Sequence, residues 1–231
     1  MANIKSVSKT GPDWTYFVAL SGEAGRRWVG EFSQGEPARL ENLMQRSLDL
    51  FYNNRINEGW ELLLHIEASF PDLPASAVAS VLYHRFLAVS AYAHYCRGDF
   101  GRAECLLTEA HQEVQQIIER HPFLLSLANR CSDLRLQRIR ISRSQRQWDE
   151  MAERIEAVRR ILRDELPLCT LSDGTSIYFA TLVKFYDSLP DLSEEELLAI
   201  HAGFDPDLRL RQFEILVSSL YMLPGFIIPY P

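Results

Sequence analysis

The stretch from Ala91 to Ala110, Ala-Tyr-Ala-His-Tyr-Cys-Arg-Gly-Asp-Phe-Gly-Arg-Ala-Glu-Cys-Leu-Leu-Thr-Glu-Ala, constrains this chain more than any other. Gly98-Asp99-Phe100 is turn chemistry set between two runs with helical periodicity. Ala91 before the turn, and Ala103 and Ala110 after it, are small enough for two antiparallel helices to approach closely. Leu107 fills the space between them, and Phe100 wedges against the turn. The segment therefore reads as a tightly packed helical hairpin.

Weaker copies flank it. Ile56, Gly59, Leu63, Ile66 and Pro71 fit the second half of an earlier unit, with Ser47 as the small residue of its first helix. Trp148, Met151, Ile155 and Val158 fit a later one. The pattern of a small residue, a Gly-Asp-aromatic turn, and then small, large and small residues resembles the tetratricopeptide repeat (TPR). The turn residues Ile56, Phe100 and Trp148 lie 44 and 48 positions apart, against a family period of about 34, so the units are elongated and degenerate. The resemblance covers residues 37–165. It implies a mostly α protein with antiparallel helical hairpins in a TPR-like right-handed superhelix, and ligands lying along the inner face formed by the first helices. A generic α-helical bundle is the alternative.

The rest of the chain divides around that array. In residues 1–36, Trp14-Thr-Tyr-Phe-Val-Ala-Leu20 and Arg26-Arg-Trp-Val-Gly-Glu-Phe32 flank Ser21-Gly-Glu-Ala-Gly25. Aromatic and β-branched runs around a five-residue loop predict a small N-terminal β-hairpin. Pro37, Pro74, Pro122 and Pro206 each precede a helical run. The expected helices are 37–53, 57–70, 74–97, 99–120, 122–145, 147–165, 174–188, 193–202 and 206–222. Residues 166–231 form a C-terminal helical cap, with a capping box at Ser193 and Glu196 and a turn at Asp173-Gly174. The segment Leu223-Pro-Gly-Phe-Ile-Ile-Pro-Tyr-Pro231 is too rich in proline for a helix and too apolar for a solvated tail. It is expected to be extended and docked.

Composition narrows the function classes. At 47% hydrophobic the chain can bury a sizeable core. It has no long apolar run, so neither a membrane span nor a signal peptide is expected, and a cytoplasmic location follows. Cys96, Cys105, Cys131 and Cys169 have no CxxC spacing, which predicts reduced core residues and no metal centre. Net charge is −7 overall. Residues 130–163 nevertheless carry 10 basic against 5 acidic side chains. Nucleic acid is disfavoured by the global charge, leaving only the arginine helix 130–146 to contact phosphates.

Three constellations could carry function. The inner face implied by the resemblance takes Met44, Leu48, Phe51 and Tyr52 from the first unit. The second unit adds Arg85, Ala88, Tyr92, Tyr95 and Cys96, and the third adds Leu136, Arg140, Arg143 and Ser144. Of these, Phe51, Tyr52, Arg85, Tyr92, Tyr95, Arg140 and Arg143 are the candidate partner-binding residues, since aromatic and arginine side chains dominate binding hot spots. Burial in the core is the competing reading for each aromatic residue. The arginine helix could clamp carboxylates or phosphates, or be neutralised by the acidic C-terminal helices. His84, His94 and His111 lack metal-ligand spacing, and core packing is the stronger reading.

The chain has no GxSxG, Walker, GxGxxG or HExxH motif, and no catalytic residue or cofactor is assigned. The leading expectation is an adaptor, scaffold, regulatory or chaperone-like subunit that binds a peptide or protein segment and is open to homo-oligomerisation. An all-α enzyme or accessory subunit with an inter-helix pocket is the alternative, and a nucleoprotein component is the second.

Overall fold

The computed structural model describes residues 13–70 and 73–222, and these are mostly helical. Three sequential helix pairs form the body: α3 (Gly35–Tyr52) with α4 (Ile56–Glu67), α5 (Ala77–Cys96) with α6 (Phe100–Arg120), and α7 (Arg130–Ser144) with α8 (Trp148–Leu162). Two short helices precede them, α1 (Asp13–Leu20) and α2 (Glu23–Phe32). After α8 come strands β1 (Cys169–Thr170) and β2 (Ser176–Ile177), then α9 (Phe179–Asp187), α10 (Glu194–Gly203) and α11 (Pro206–Met222).

The three pairs turn in the same way. Each first helix stops, three residues follow, and the second helix begins. The middle residue is left-handed every time: Asn54 at φ 58°, Gly98 at φ 78° and Arg146 at φ 60°. The next amide reaches back to a carbonyl of the first helix's last turn: Arg55 to Leu50 at 2.8 Å, Asp99 to His94 at 3.0 Å and Gln147 to Ser142 at 2.9 Å. This closure satisfies carbonyls that the helix end would leave bare. Asp99 also caps α6, its side chain accepting from the Arg102 amide at 3.2 Å. Between α5 and α6 the small residues Ala88, Ala91, Ala103 and Ala110 are all buried, packed with Leu87, Leu106 and Leu107 and joined by Leu134 and Ile141 of α7.

The expected N-terminal β-hairpin is not formed. Residues 14–20 and 26–32 are helical, and they turn at Ser21-Gly22, where Gly22 takes φ 87°. The reason is visible in α2. Gly25, Trp28, Val29 and Phe32 are buried on one face, at the 3–4 residue spacing of a helix. Gly25 lets α2 press against the end of α1, since a Cβ there would lie 1.9 Å from the Val18 carbonyl oxygen.

The described strands lie elsewhere. β1 and β2 pair antiparallel, Cys169 opposite Ile177 and Thr170 opposite Ser176, with Gly174 at φ 87° in the Asp173-Gly174 turn. The expected helix 174–188 therefore starts only at Phe179. The expected helix 122–145 is also divided. Pro122–Asn129 is a 3-10 segment in which Leu124 leaves helical geometry, and α7 follows it. The capping box at Ser193 and Glu196 forms, with the Ser193 amide donating to the Glu196 carboxylate at 2.8 Å. The apolar segment 223–231 lies outside the described residues.

The C-terminal helices close on the N-terminal ones. The Phe17 ring of α1 lies tilted 4.7 Å from that of Phe204, and the Tyr186 hydroxyl of α9 donates to the Phe17 carbonyl at 2.7 Å. Arg209 of α11 is enclosed between Phe179 and Phe204 and donates to Asn129 Oδ1 at 2.7 Å. Arg159 of α8 holds Glu214 of α11 at 2.7 Å. One hydrophobic cluster runs from Val18 to Leu220.

Candidate functional site

The first helices of the three pairs, α3, α5 and α7, line one shallow depression. Leu48 comes from α3, Arg85, Ala88, Val89 and Tyr92 from α5, and Gln137 from α7. Its volume is about 200 Å³, counted out to open solvent. Its exposed lining is almost wholly apolar, although Arg85, Tyr92 and Gln137 contribute to it alongside the aliphatic side chains.

Arg85 is held in place rather than swinging in solvent. It is 8% exposed. Its Nε lies 3.3 Å from Glu41 of α3, itself buried, and a terminal nitrogen donates to Gln45 Oε1 at 3.3 Å. An arginine taken out of water needs such a partner, because an unpaired buried charge is strongly destabilising. The pair fixes the guanidinium at the edge of the depression and ties α3 to α5.

Beside it runs a ladder of aromatic rings. Tyr92 meets Tyr52 at 5.2 Å, Tyr95 at 5.9 Å in near-parallel stacking, and Phe51 edge-on at 6.3 Å. Tyr95 continues to Phe100 at 5.8 Å, and its hydroxyl hydrogen-bonds Ser144 of α7 at 2.9 Å. Burial pushes the Tyr92 hydroxyl well above the usual tyrosine range, and it pushes Cys96 up to about 11. Both are neutral at physiological pH. Arg140 lies close enough for its charge to act on the Tyr92 hydroxyl.

The seven candidate residues thus fall into two depths. Phe51 is wholly enclosed, and Met44 with it. Tyr92 and Arg85 are buried but line the depression, while Tyr52, Tyr95, Arg140 and Arg143 are half-buried. Gln137 and Val89 also line it and were not among the expected residues. Gln137 stands one turn before Arg140 on α7, so helical periodicity alone could have placed it on this face.

The arginine helix is in large part internally bonded. Arg130 pairs with Asp133 at 2.7 Å. Arg138 lies 3.4 Å from Glu104 of α6, which also holds Arg154 of α8 at 2.5 Å. Arg135 donates to the Leu168 carbonyl at 2.7 Å. The neutralising acids shown are Asp133 of α7 and Glu104 of α6, and the ion pair from the acidic C-terminal helices, Glu214 with Arg159, falls on α8 instead. His84 is buried, with Nδ1 3.1 Å from the Ala110 carbonyl. His94 pairs with Asp99 at 3.0 Å. Among the described residues no three His, Cys, Asp or Glu side chains are grouped to hold a metal ion, and no helix is long and apolar enough to cross a membrane.

No protein-family model matches this chain, and neither a curated protein nor a solved structure does.

Proposed function

We propose that the protein is an interaction module, an adaptor or regulatory subunit that receives a peptide or protein segment along the face of α3, α5 and α7. One observation carries the reading: the depression is open and spans all three first helices. A surface shared by several helices suits an extended ligand. Pockets that enclose a small-molecule substrate are concave, of about 300–1,000 Å³, and bury most of it; this one has an accessible volume of about 10 Å³, room for about one water molecule. Tyr52, Tyr95, Arg140 and Arg143 supply amphipathic and charged contacts, and Phe51 and Tyr92 support them from below. The repeated left-handed turns at Asn54, Gly98 and Arg146 support the TPR-like reading of this array. The nucleoprotein reading is weakened because Arg130, Arg135 and Arg138 are engaged within the chain.

The test is capture of partners from the native host by the parent protein and by an Arg140→Glu, Arg143→Glu variant. Proteins retained by the parent should be lost by the variant, while the melting temperature stays nearly unchanged. Equal capture by both proteins refutes this face as the binding site. A large fall in melting temperature with capture intact would show that the two arginines serve an internal network instead.

A further inference from the structure

Cys131 on α7 and Cys169 on β1 stand 38 positions apart in sequence yet meet inside the protein. They are 0% and 2% exposed, and their thiols lie close enough to act on one another. A separate set of contacts holds the two segments together. The same Arg135 nitrogen donates to the Leu168 carbonyl, next to Cys169, at 2.7 Å and to the Cys131 carbonyl at 3.4 Å. From α6, Gln115 donates to the Thr170 carbonyl at 2.6 Å, and Glu119 accepts from the Ser172 amide at 2.6 Å. The β1–β2 hairpin is thus a strap laid over α6 and α7, with a dithiol beneath it.

We infer that Cys131 and Cys169 are a redox modification site, a dithiol that converts to an intramolecular disulfide and locks the β1–β2 hairpin to α7. The two sulfurs are unequal. The contact with Cys131 lowers the Cys169 thiol, and the Arg135 charge adds to this, whereas the same contact and burial raise Cys131. Cys169 is therefore the more acidic of the two thiols and reacts first. The oxidant is a peroxide, and hydrogen peroxide is small enough to pass beneath a hairpin of two-residue strands as it opens locally. The Cys169 sulfur attacks one peroxide oxygen; an S–O bond forms, the O–O bond breaks, and the departing hydroxide takes a proton to become water. The Cys131 sulfur then displaces the hydroxyl of the Cys169 sulfenic acid. The S–S bond forms, the S–O bond breaks, and the proton of Cys131 leaves with the hydroxyl as a second water. Two thiols are oxidised and one peroxide is reduced.

The test uses the folded chain carrying Cys96→Ser and Cys105→Ser, so that only this pair remains. Hydrogen peroxide should remove both thiols, and trypsin should release residues 131–135 linked to residues 164–184. The protein should stay monomeric on a non-reducing gel, and its urea midpoint should rise and then return on adding dithiothreitol. The same linked peptide should appear in the unsubstituted chain, which guards against a double variant that folds poorly. The inference is overturned if both thiols of the folded protein survive a peroxide dose that consumes them in urea. It is equally overturned if the disulfides formed join separate chains.

Discussion

The Ser47 hydroxyl of α3 donates to the Gly59 carbonyl of α4 across 2.9 Å, and Ser47 is 0% exposed. This contact requires the two helices to lie close, and Gly59 permits it. A Cβ at Gly59 would stand 3.0 Å from the Phe51 ring, which Tyr92 hems in. Gly59→Ala should therefore cost about 1–3 kcal/mol by overpacking. Gly25→Ala should cost more, because its Cβ meets the Val18 backbone, which has no rotamer to escape into. Urea unfolding of both variants checks the order, and a milder Gly25→Ala would be the unexpected result.

Arg146 carries the same left-handed turn as Gly98 without glycine's freedom. A non-glycine residue loses about 1–2 kcal/mol in that region, and glycine is the common solution at a helix C-terminus. Arg146→Gly should raise stability by about 1 kcal/mol, since Arg146 is exposed and its side chain has little packing to lose. Gly98→Ala should lower it by a similar amount. Melting curves of the two variants should move in opposite directions.

Ala103 sits at 0% exposure in the seam between α5 and α6. Ala103→Leu should cost about 1–3 kcal/mol, because the seam has no room for three more carbons. A variant as stable as its parent would show that the two helices can move apart freely.

His84 gives the fold a sensitivity to acid. Burial, and then the nearby Arg130 charge, hold its pKa down to about 3, against 6.5 for the free side chain. Between those values the unfolded chain binds the proton and the folded one does not. Stability is therefore intact above pH 6.5 and falls as pH drops toward 3. One group contributes up to about 1.4 kcal/mol per pH unit, so lowering pH from 7 to 5 should remove about 2 kcal/mol through His84. His111, lowered to about 4 chiefly by burial, acts with the same sign. His84→Gln should shrink the difference between urea unfolding at pH 7 and at pH 5 by about 2 kcal/mol. An unchanged difference would mean that His84 is protonated in the folded protein.

The sequence made the helical pairs legible because Gly98-Asp99-Phe100 and its flanking alanines state both the turn and the packing. The neighbouring units looked degenerate because Asn54 and Arg146 replace glycine, although the backbone repeats the same closure. The α1–α2 pair was misread because aromatic and β-branched residues outweighed the helical spacing of Gly25, Trp28, Val29 and Phe32 in so short a run. The resemblance was enough to put Leu48, Arg85, Ala88 and Tyr92 on one face. It could not tell that Glu41 and Gln45 would anchor Arg85, nor that Phe51 would turn wholly inward. The contact of Cys131 with Cys169 had no sequence signal, since it depends on where the β1–β2 hairpin is laid across two helices.

The closure of α9 and α10 onto α1 also bears on how the chain is made. A ribosome releases Phe17 early, but the Tyr186 hydroxyl that binds its carbonyl is 169 positions further on. At about 5–20 residues per second that delay is on the order of ten seconds. During it Phe17 of α1 lacks the Tyr186 hydroxyl and the Phe204 ring that finally meet it. A nascent chain halted before Phe204 would leave Phe17 without that ring, so the packing of α1 is completed only after α10 has left the exit tunnel.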